Sequence, residues 1–334
     1  MSHYVHLSIE ERESILEFGA KGRSLRAISR ELGRSASTVS RELKRNKKPK
    51  GSYRPSVAQA HYRRRRKKCR RAHLLENADL RAKVMELFLE KHWSPEQIQQ
   101  RLRLENSEYQ ISYATIYRGI YKHLLEPCPL RDGQRGVVLR LRHKGKRRHP
   151  TGKKRSNCGK LTNMLLIDDR PESAENRSEI GHWEADTVAG ALNTGRILTL
   201  VDRKTRFALC TKLNTKDAEE TAQAMIKVLL SLPAEARRSV TPDQGKEFFG
   251  FRSVSHALNG LSFFFAHPAS PWERPSNENF NSLLREFFPK RISFADISES
   301  DVQFAVALLN TRPRKCLAFR SPFEVFSNSL LRLT

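Results

Sequence analysis

No run of about 18 apolar residues occurs in this 334-residue sequence, so no hydrophobic membrane-spanning helix is expected. The opening residues, MSHYVHLSIEERE, lack a basic stretch followed by an apolar one; no secretory signal is expected, and a soluble cytoplasmic protein is. Cysteine is scarce. Cys69, Cys128, Cys158, Cys210 and Cys316 are odd in number, scattered, and without a C-x-x-C pair or a nearby histidine at ligand spacing. That pattern argues against both a disulfide framework and a zinc site. Acidic charge is short as well: 36 Asp and Glu face 62 Lys and Arg, a net charge of +26 that implies a polyanionic partner. The deficit is uneven. Residues 1–180 hold 42 basic and 20 acidic side chains, residues 181–334 hold 20 and 16, so the front half reads as the part that grips the polyanion.

The front half is rich in helix punctuation. Ser8-Ile9-Glu10-Glu11 is a capping box, in which hydroxyl and carboxylate satisfy each other's free backbone N–H groups, and it predicts a helix through Phe18. Gly19 and Gly22 break the chain, and Ser24 caps a second helix with Leu25, Ile28 and Leu32 on one face. After Gly33, Ser35 caps a third, Ala36 to Arg45, with Val39 and Leu43 inward. A short helix, a Gly-containing turn and an Arg-rich helix make a helix-turn-helix. In that motif the start of the second helix enters the major groove, which singles out Ser35, Ser37, Thr38 and Arg41 as DNA contacts, with Arg34, Lys44 and Arg45 on the backbone. The following basic run, with Arg63, Arg64, Arg65 and Arg66, adds phosphate affinity without sequence preference.

Residues 79–123 read as further helices, with Leu80, Val84, Leu87 and Phe88 on one face and starts at Ser94-Pro95-Glu96-Gln97 and at Ser112. Two readings fit them: a second helix-turn-helix with Arg118 and Lys122 exposed, or a plain helical connector. Residues 127–160 are rich in Pro, Gly, Lys and Arg and read as a basic linker. The expected division is a DNA-binding domain over 1–75, a second helical unit over 76–126, the linker over 127–175 and a catalytic domain over 176–334.

The back half changes character. Three strand-like runs, His182–Val188, Arg196–Val201 and Phe207–Leu213, are joined by short turns and suggest an antiparallel meander. A helix over Lys216–Leu232 follows, then a short strand Ser239–Thr241, an apolar strand Leu261–Phe265, and helices over Asn277–Phe287 and Asp301–Leu309. That order is the order of an α/β ribonuclease H-like domain. Three acids fall where that fold needs them: Asp186 in the first strand, Asp243 after the fourth, Glu278 at the start of the helix after the fifth. Each alone has a structural explanation, as a strand-edge charge, a turn former and a helix cap favoured by the dipole. Together they suit phosphodiester chemistry with two divalent ions, because hard cations take oxygen ligands and one activates the nucleophile while the other stabilises the leaving oxygen.

The segments GHWEADTVAG (181–190), TPDQGKEF (241–248), HPASPWERPSNEN (267–279) and LNTRPRKCLAFRSPFEVF (309–326), with LRAISRELGRSASTVSRELKRN (25–46) at the front, resemble the insertion sequence thirty family of bacterial DDE transposases. The resemblance runs in order along nearly the whole chain. It implies an N-terminal region that recognises an element's terminal inverted repeats, an acid triad at Asp186, Asp243 and Glu278 holding two Mg²⁺ or Mn²⁺ ions, and strand cleavage followed by strand transfer. Double-stranded DNA is the implied partner, a homodimer or higher assembly the implied state, and the bacterial nucleoid the implied location. Asn277, Asn281 and Arg285 stand at helical spacing around Glu278, as supporting groups that orient water or hold a phosphate, or as a solvated face. Trp272 and Arg274 read as contacts to DNA near the cut, with a core Trp272 as the alternative. Arg312, Arg314 and Lys315 lie in a Pro-bounded basic turn suited to the DNA backbone. Pro275 stands where the family carries glycine, which opens a second reading, a DNA-binding repressor that keeps the fold without turnover.

Overall fold

The computed structural model of the chain describes residues 5–46, 52–69, 73–131, 133–141 and 164–332. It divides into two compact units, Met1–His73 and Leu74–Thr334. The basic stretches at 144–148 and 153–155 lie outside the described residues.

In the first unit, α1 (Ile9–Ala20) opens on the expected capping box, with Ser8 N–H donating to Glu11 Oε2 at 2.7 Å. α2 (Leu25–Glu31) and α3 (Ala36–Asn46) follow, joined across Gly33 at φ +60°, and α4 (Pro55–Lys68) completes the unit. Ile15, Ile28, Val39, Tyr53 and Ala58 are its buried centre. Leu25, expected in that core, is 41% exposed: α2 is only seven residues long, and Tyr53 and Ala58 complete the apolar centre instead. A buried ion pair spans the unit, Arg12 Nε to Glu42 Oε1 at 2.8 Å, with Tyr53 Oη donating to the same oxygen at 3.0 Å. Arg63 to Arg66 are exposed along the second half of α4, where cations are favoured by the helix dipole.

The second unit starts with α5 (Ala78–Met85), which runs on into a π turn, then α6 (Pro95–Leu104) and α7 (Tyr113–Tyr121). Val84, Ile98, Leu102, Ile116 and Ile120 are fully or almost fully buried between them. The connection between α6 and α7, residues 105–112, is longer than the turn of three or four residues typical of a helix-turn-helix. Part of the expected linker is folded: a 3₁₀ turn over Gly136–Arg140 buries Val137 against these helices.

The sheet begins earlier than expected, with β1 (Leu165–Leu166), and α8 (Glu172–Glu175) precedes β2 (His182–Ala189). β3 (Arg196–Asp202), β4 (Ala208–Leu213), α9 (Ala218–Leu230), β5 (Ser239–Thr241), α10 (Phe251–Ala257), β6 (Ser262–Phe265), α11 (Pro275–Leu284), α12 (Glu299–Thr311) and α13 (Pro322–Leu330) complete the order. The six strands lie in the sequence β1-β6-β5-β2-β3-β4. β2, β3 and β4 pair antiparallel, and β2 pairs in parallel with β5. Alternation along β2 sends Trp183 and Ala185 to one face, where they pack with Met225 and Leu229 of α9, Val254 of α10 and Phe326 of α13. On the opposite face Val188, Ile197 and Val201 pack with Phe280 and Leu284 of α11 and Val302 and Leu309 of α12.

Within this second unit, α6 is fastened to the end of the chain. Gln97 Nε2 donates to Pro313 O at 2.7 Å, and Arg101 reaches Glu324 at the start of α13 with two parallel hydrogen bonds, one of 2.8 Å. A bidentate guanidinium–carboxylate pair fixes orientation as well as distance.

Candidate active site

Asp186 and Asp243 are brought side by side by strand register. Glu184 of β2 pairs with Thr241 of β5 in parallel, so the acids two residues further along each strand leave the same end of the sheet together. Asp186 is held at both oxygens: Oδ1 accepts from the Thr187 N–H at 2.8 Å and Oδ2 from Asn281 Nδ2 at 2.8 Å. Asp243 Oδ1 accepts from the Gly245 N–H at 2.9 Å. Gly245 leaves room there: a Cβ would stand 2.8 Å from Asp243 Oδ1 and 2.7 Å from Glu247 Oε2, so either carboxylate would have to shift. Burial pushes the Asp186 carboxyl up to about 6; the Arg274 charge opposes the shift, and the negative charges of Asp243 and Glu247 add to it.

Arg274 occupies the space between the two acids. Its Nη1 donates to Ala185 O at 2.9 Å and lies 3.8 Å from Asp186 Oδ2, while Nη2 is 3.4 Å from Asp243 Oδ2. Glu278, in the first turn of α11, is exposed. It shares with Asp186 an open cavity of about 480 Å³, also lined by Arg274, Asn281, Arg285 and Lys290. Among the described residues, no three His, Cys, Asp or Glu side chains stand close enough together to hold a metal ion. The donor chemistry nevertheless fits a divalent cation. Two carboxylates meet across a positive charge already present as the guanidinium, and a third faces the cavity that Asp186 lines.

Pro275 is the first residue of α11, a position where its fixed φ suits the helix and its missing N–H costs nothing. Glu278 N–H closes the first helical hydrogen bond to Arg274 O at 3.1 Å, so the proline starts the helix that carries Glu278.

Several expected site residues are placed differently. Asn277 is fully buried: its Nδ2 donates to Glu184 O at 3.0 Å, its N–H to Glu184 Oε2 at 2.8 Å, and its Oδ1 accepts from Thr199 Oγ1 at 2.9 Å. It clamps α11 to the sheet and has no access to water or phosphate, because side-chain and main-chain donors all point at strand atoms. Asn281 is the supporting group that reaches an acid. Arg312 is 3% exposed and pairs with Glu286 at 2.9 Å; the turn folds inward at Pro313, and the guanidinium braces the end of α11 instead of facing DNA. Arg314 is half-buried, with Leu309 O at 3.4 Å, and Lys315 is exposed beside Glu96 at 3.3 Å. Arg285 donates to Ala189 O at 2.9 Å and covers the Phe294 ring. Trp272, at 69% exposure, is not a core residue.

In the first unit Ser35, Ser37, Arg41, Lys44 and Arg45 are exposed and Thr38 is half-buried; the Ser35 hydroxyl bonds those of Ser37 and Thr38 at 3.0 and 2.8 Å. Arg34 is turned to Glu11 at 2.7 Å, which ties the turn to α1. Arg118 and Lys122 are exposed in the second unit. Two buried acids beside the site, Glu184 and Glu247, were not singled out in the sequence. Glu184, fully buried, receives Arg203 Nη1 at 2.7 Å. Glu247 accepts from Thr187 Oγ1 at 3.0 Å and stands 3.5 Å from Lys216. The signal for Glu247 was its place four residues after Asp243; for Glu184, its alternation with Asp186 on the same strand face.

A helix-turn-helix domain model matches residues 3–46, and an integrase core domain model matches residues 176–271. The transposase InsI of insertion sequence element IS30A from Escherichia coli (strain K12) is 37% identical over 97% of this chain and 84% of its own length. The transposase of insertion sequence element IS1086 from Cupriavidus metallidurans is 34% identical over 99% of this chain and 97% of its own. The transposase of insertion sequence element IS4351 from Bacteroides fragilis is 35% identical over 96% and 95%. Among solved structures, the catalytic core domain of BIV integrase superposes with a TM-score of 0.37 at 16% identity, over 46% of this chain and 97% of that one.

Proposed function

Because this chain belongs to the insertion sequence thirty family of transposases, we propose that it binds the terminal repeats of an insertion sequence and cuts and joins DNA strands at Asp186, Asp243 and Glu278. The observation that carries this reading is the convergence of Asp186 and Asp243 just past the parallel-paired residues of β2 and β5, with Glu278 on the cavity that Asp186 lines. These three carboxylates would hold two divalent cations, Mg²⁺ or Mn²⁺, which supply Lewis acidity at phosphorus.

The chain's own residues do the positioning. Asn281 and the Thr187 N–H orient both oxygens of Asp186, Gly245 leaves room for Asp243 beside Glu247, and Asn277 fixes α11 against β2. In the first step a water oxygen bonds to phosphorus as the bond to the 3′-oxygen breaks, which leaves a 3′-hydroxyl. In the second step that hydroxyl oxygen attacks another phosphodiester, and a 3′-oxygen leaves in exchange. Arg285 and Lys290 line the cavity as counter-charges for the DNA backbone. The exposed face of α3, with Ser37 and Arg41, reads bases, while Lys44, Arg45 and the arginines of α4 hold phosphates. A protein that pairs two element ends acts as a dimer or larger assembly, in the bacterial cytoplasm. Pro275, at the first position of α11, is compatible with the helix that carries Glu278.

Asp186→Asn, Asp243→Asn and Glu278→Gln should each abolish Mg²⁺-dependent nicking of a DNA carrying the element's ends while leaving gel-shift affinity intact. Wild-type nicking in any of them would remove that residue from the site.

A further inference from the structure

We propose that Arg274 is a built-in cation substitute, which holds Asp186 and Asp243 together before metal binds and gives up its position when a divalent cation enters. The proposal rests on the reading of Asp186, Asp243 and Glu278 as the cation-binding acids. Four observations carry it.

The guanidinium lies 3.8 Å from Asp186 Oδ2 and 3.4 Å from Asp243 Oδ2, between the two carboxylates. Its side chain is only 12% exposed, on the wall of the cavity that Asp186 and Glu278 also line. Its remaining donor contact is a backbone carbonyl, Ala185 O, immediately before Asp186. Finally, the third acid stands apart: Glu278 is exposed, and the acids do not form a three-carboxylate cluster.

Charge explains the arrangement. Two carboxylates at the end of adjacent strands repel, and a partly buried pair needs a compensating cation nearby. A planar guanidinium supplies it to both acids at once, which an ammonium does less well. Arg274 also precedes Pro275, and its carbonyl accepts the first hydrogen bond of α11 from the Glu278 N–H. A withdrawal that moves the backbone of residue 274 would shift the start of that helix, which couples departure of the substitute to arrival of the third acid. Trp272 lies two residues upstream, exposed, and reports that movement.

The test is cation binding by the full chain without DNA, with Ca²⁺ and Mn²⁺ as probes, measured by calorimetry and by tryptophan emission. Asp186→Asn should lose binding; if it binds like the wild type, the site reading itself fails, independently of Arg274. With that control in place, Arg274→Gln should bind Mn²⁺ roughly tenfold more tightly, because the competing internal cation is gone. Its melting temperature in EDTA should fall below the wild type's and recover with Mn²⁺, and its cation-induced change in tryptophan emission should shrink. Unchanged or weaker Mn²⁺ binding by a folded Arg274→Gln overturns the proposal. Should that variant not fold, Arg274→Lys decides in its place: tighter binding than the wild type supports the proposal, and equal or weaker binding refutes it.

Discussion

Breaking the buried pair between Arg203 and Glu184 should be among the costliest single changes in the catalytic domain. Glu184 is fully buried and Arg203 is 3% exposed, joined at 2.7 Å, with Arg203 Nε also donating to Ala174 O at 2.8 Å. Burial lowers the pKa of Arg203, the Glu184 charge opposes that shift, and an arginine in this position remains charged. Arg203→Met would therefore leave a carboxylate in the core with the Asn277 N–H at 2.8 Å, and removal of one partner of a buried pair costs about 3–5 kcal/mol. Glu184→Gln strands the guanidinium in the same way. The double variant Glu184→Gln/Arg203→Met leaves neither charge, so it should lose less than the sum of the singles by about 2 kcal/mol. Urea unfolding followed by tryptophan emission measures this cleanly, because Trp93, Trp183 and Trp272 all lie in the second compact unit and the first contributes no signal. Additivity of the two singles within about 0.5 kcal/mol would refute the reasoning. So would a loss of under about 1 kcal/mol for Arg203→Met, the range of an exposed pair.

Other outcomes can be checked with the same protein. Pro275→Gly should lower stability by about 1 kcal/mol through the greater freedom of the unfolded chain; a gain instead would mean that the proline strains the start of α11. Arg101→Met should cost about 1 kcal/mol, since Glu324 is about one-third exposed, and deuterium exchange should rise in α6 and α13 but not in β2. His182 is held down to about 4, mainly by burial, with the Arg238 charge adding to the effect. The unfolded chain takes up this proton nearer the ordinary 6.5, so the stability this group supports is complete above that value and is lost as the pH falls toward 4. The urea midpoint should fall between about pH 7 and pH 5, and His182→Gln should flatten that slope.

The alternation of β2, the apolar run of β6 and the caps at Ser8, Ser94 and Ser112 are local signals, set by residues within a turn or a strand of one another. They were legible because period and capping act over a few positions. The positions of Asp186 within β2 and of Asp243 just after β5 were legible for the same reason. The two-residue β1 was not, since a strand that short has no period to detect and exists through its pairing with β6. Nor was the burial of Asn277 and Arg312. An asparagine beside a glutamate at a helix start looks like a site residue, and an arginine between Thr311 and Pro313 looks like a surface turn. Their burial depends on Glu184, Thr199 and Glu286, which stand dozens of residues away or on another element.

By itself, then, the sequence determined strands β2 to β6 and most of the longer helices, and that a basic, helix-rich front precedes an α/β back carrying three spaced acids. Only the tertiary structure decided what stands between those acids. Parallel pairing of β2 with β5 makes Asp186 and Asp243 neighbours, and the chain's return after β6 brings Arg274 between them. Charge compensation across 31 residues of sequence in one case and 88 in the other has no local signature, because it depends on which strand ends the sheet places together.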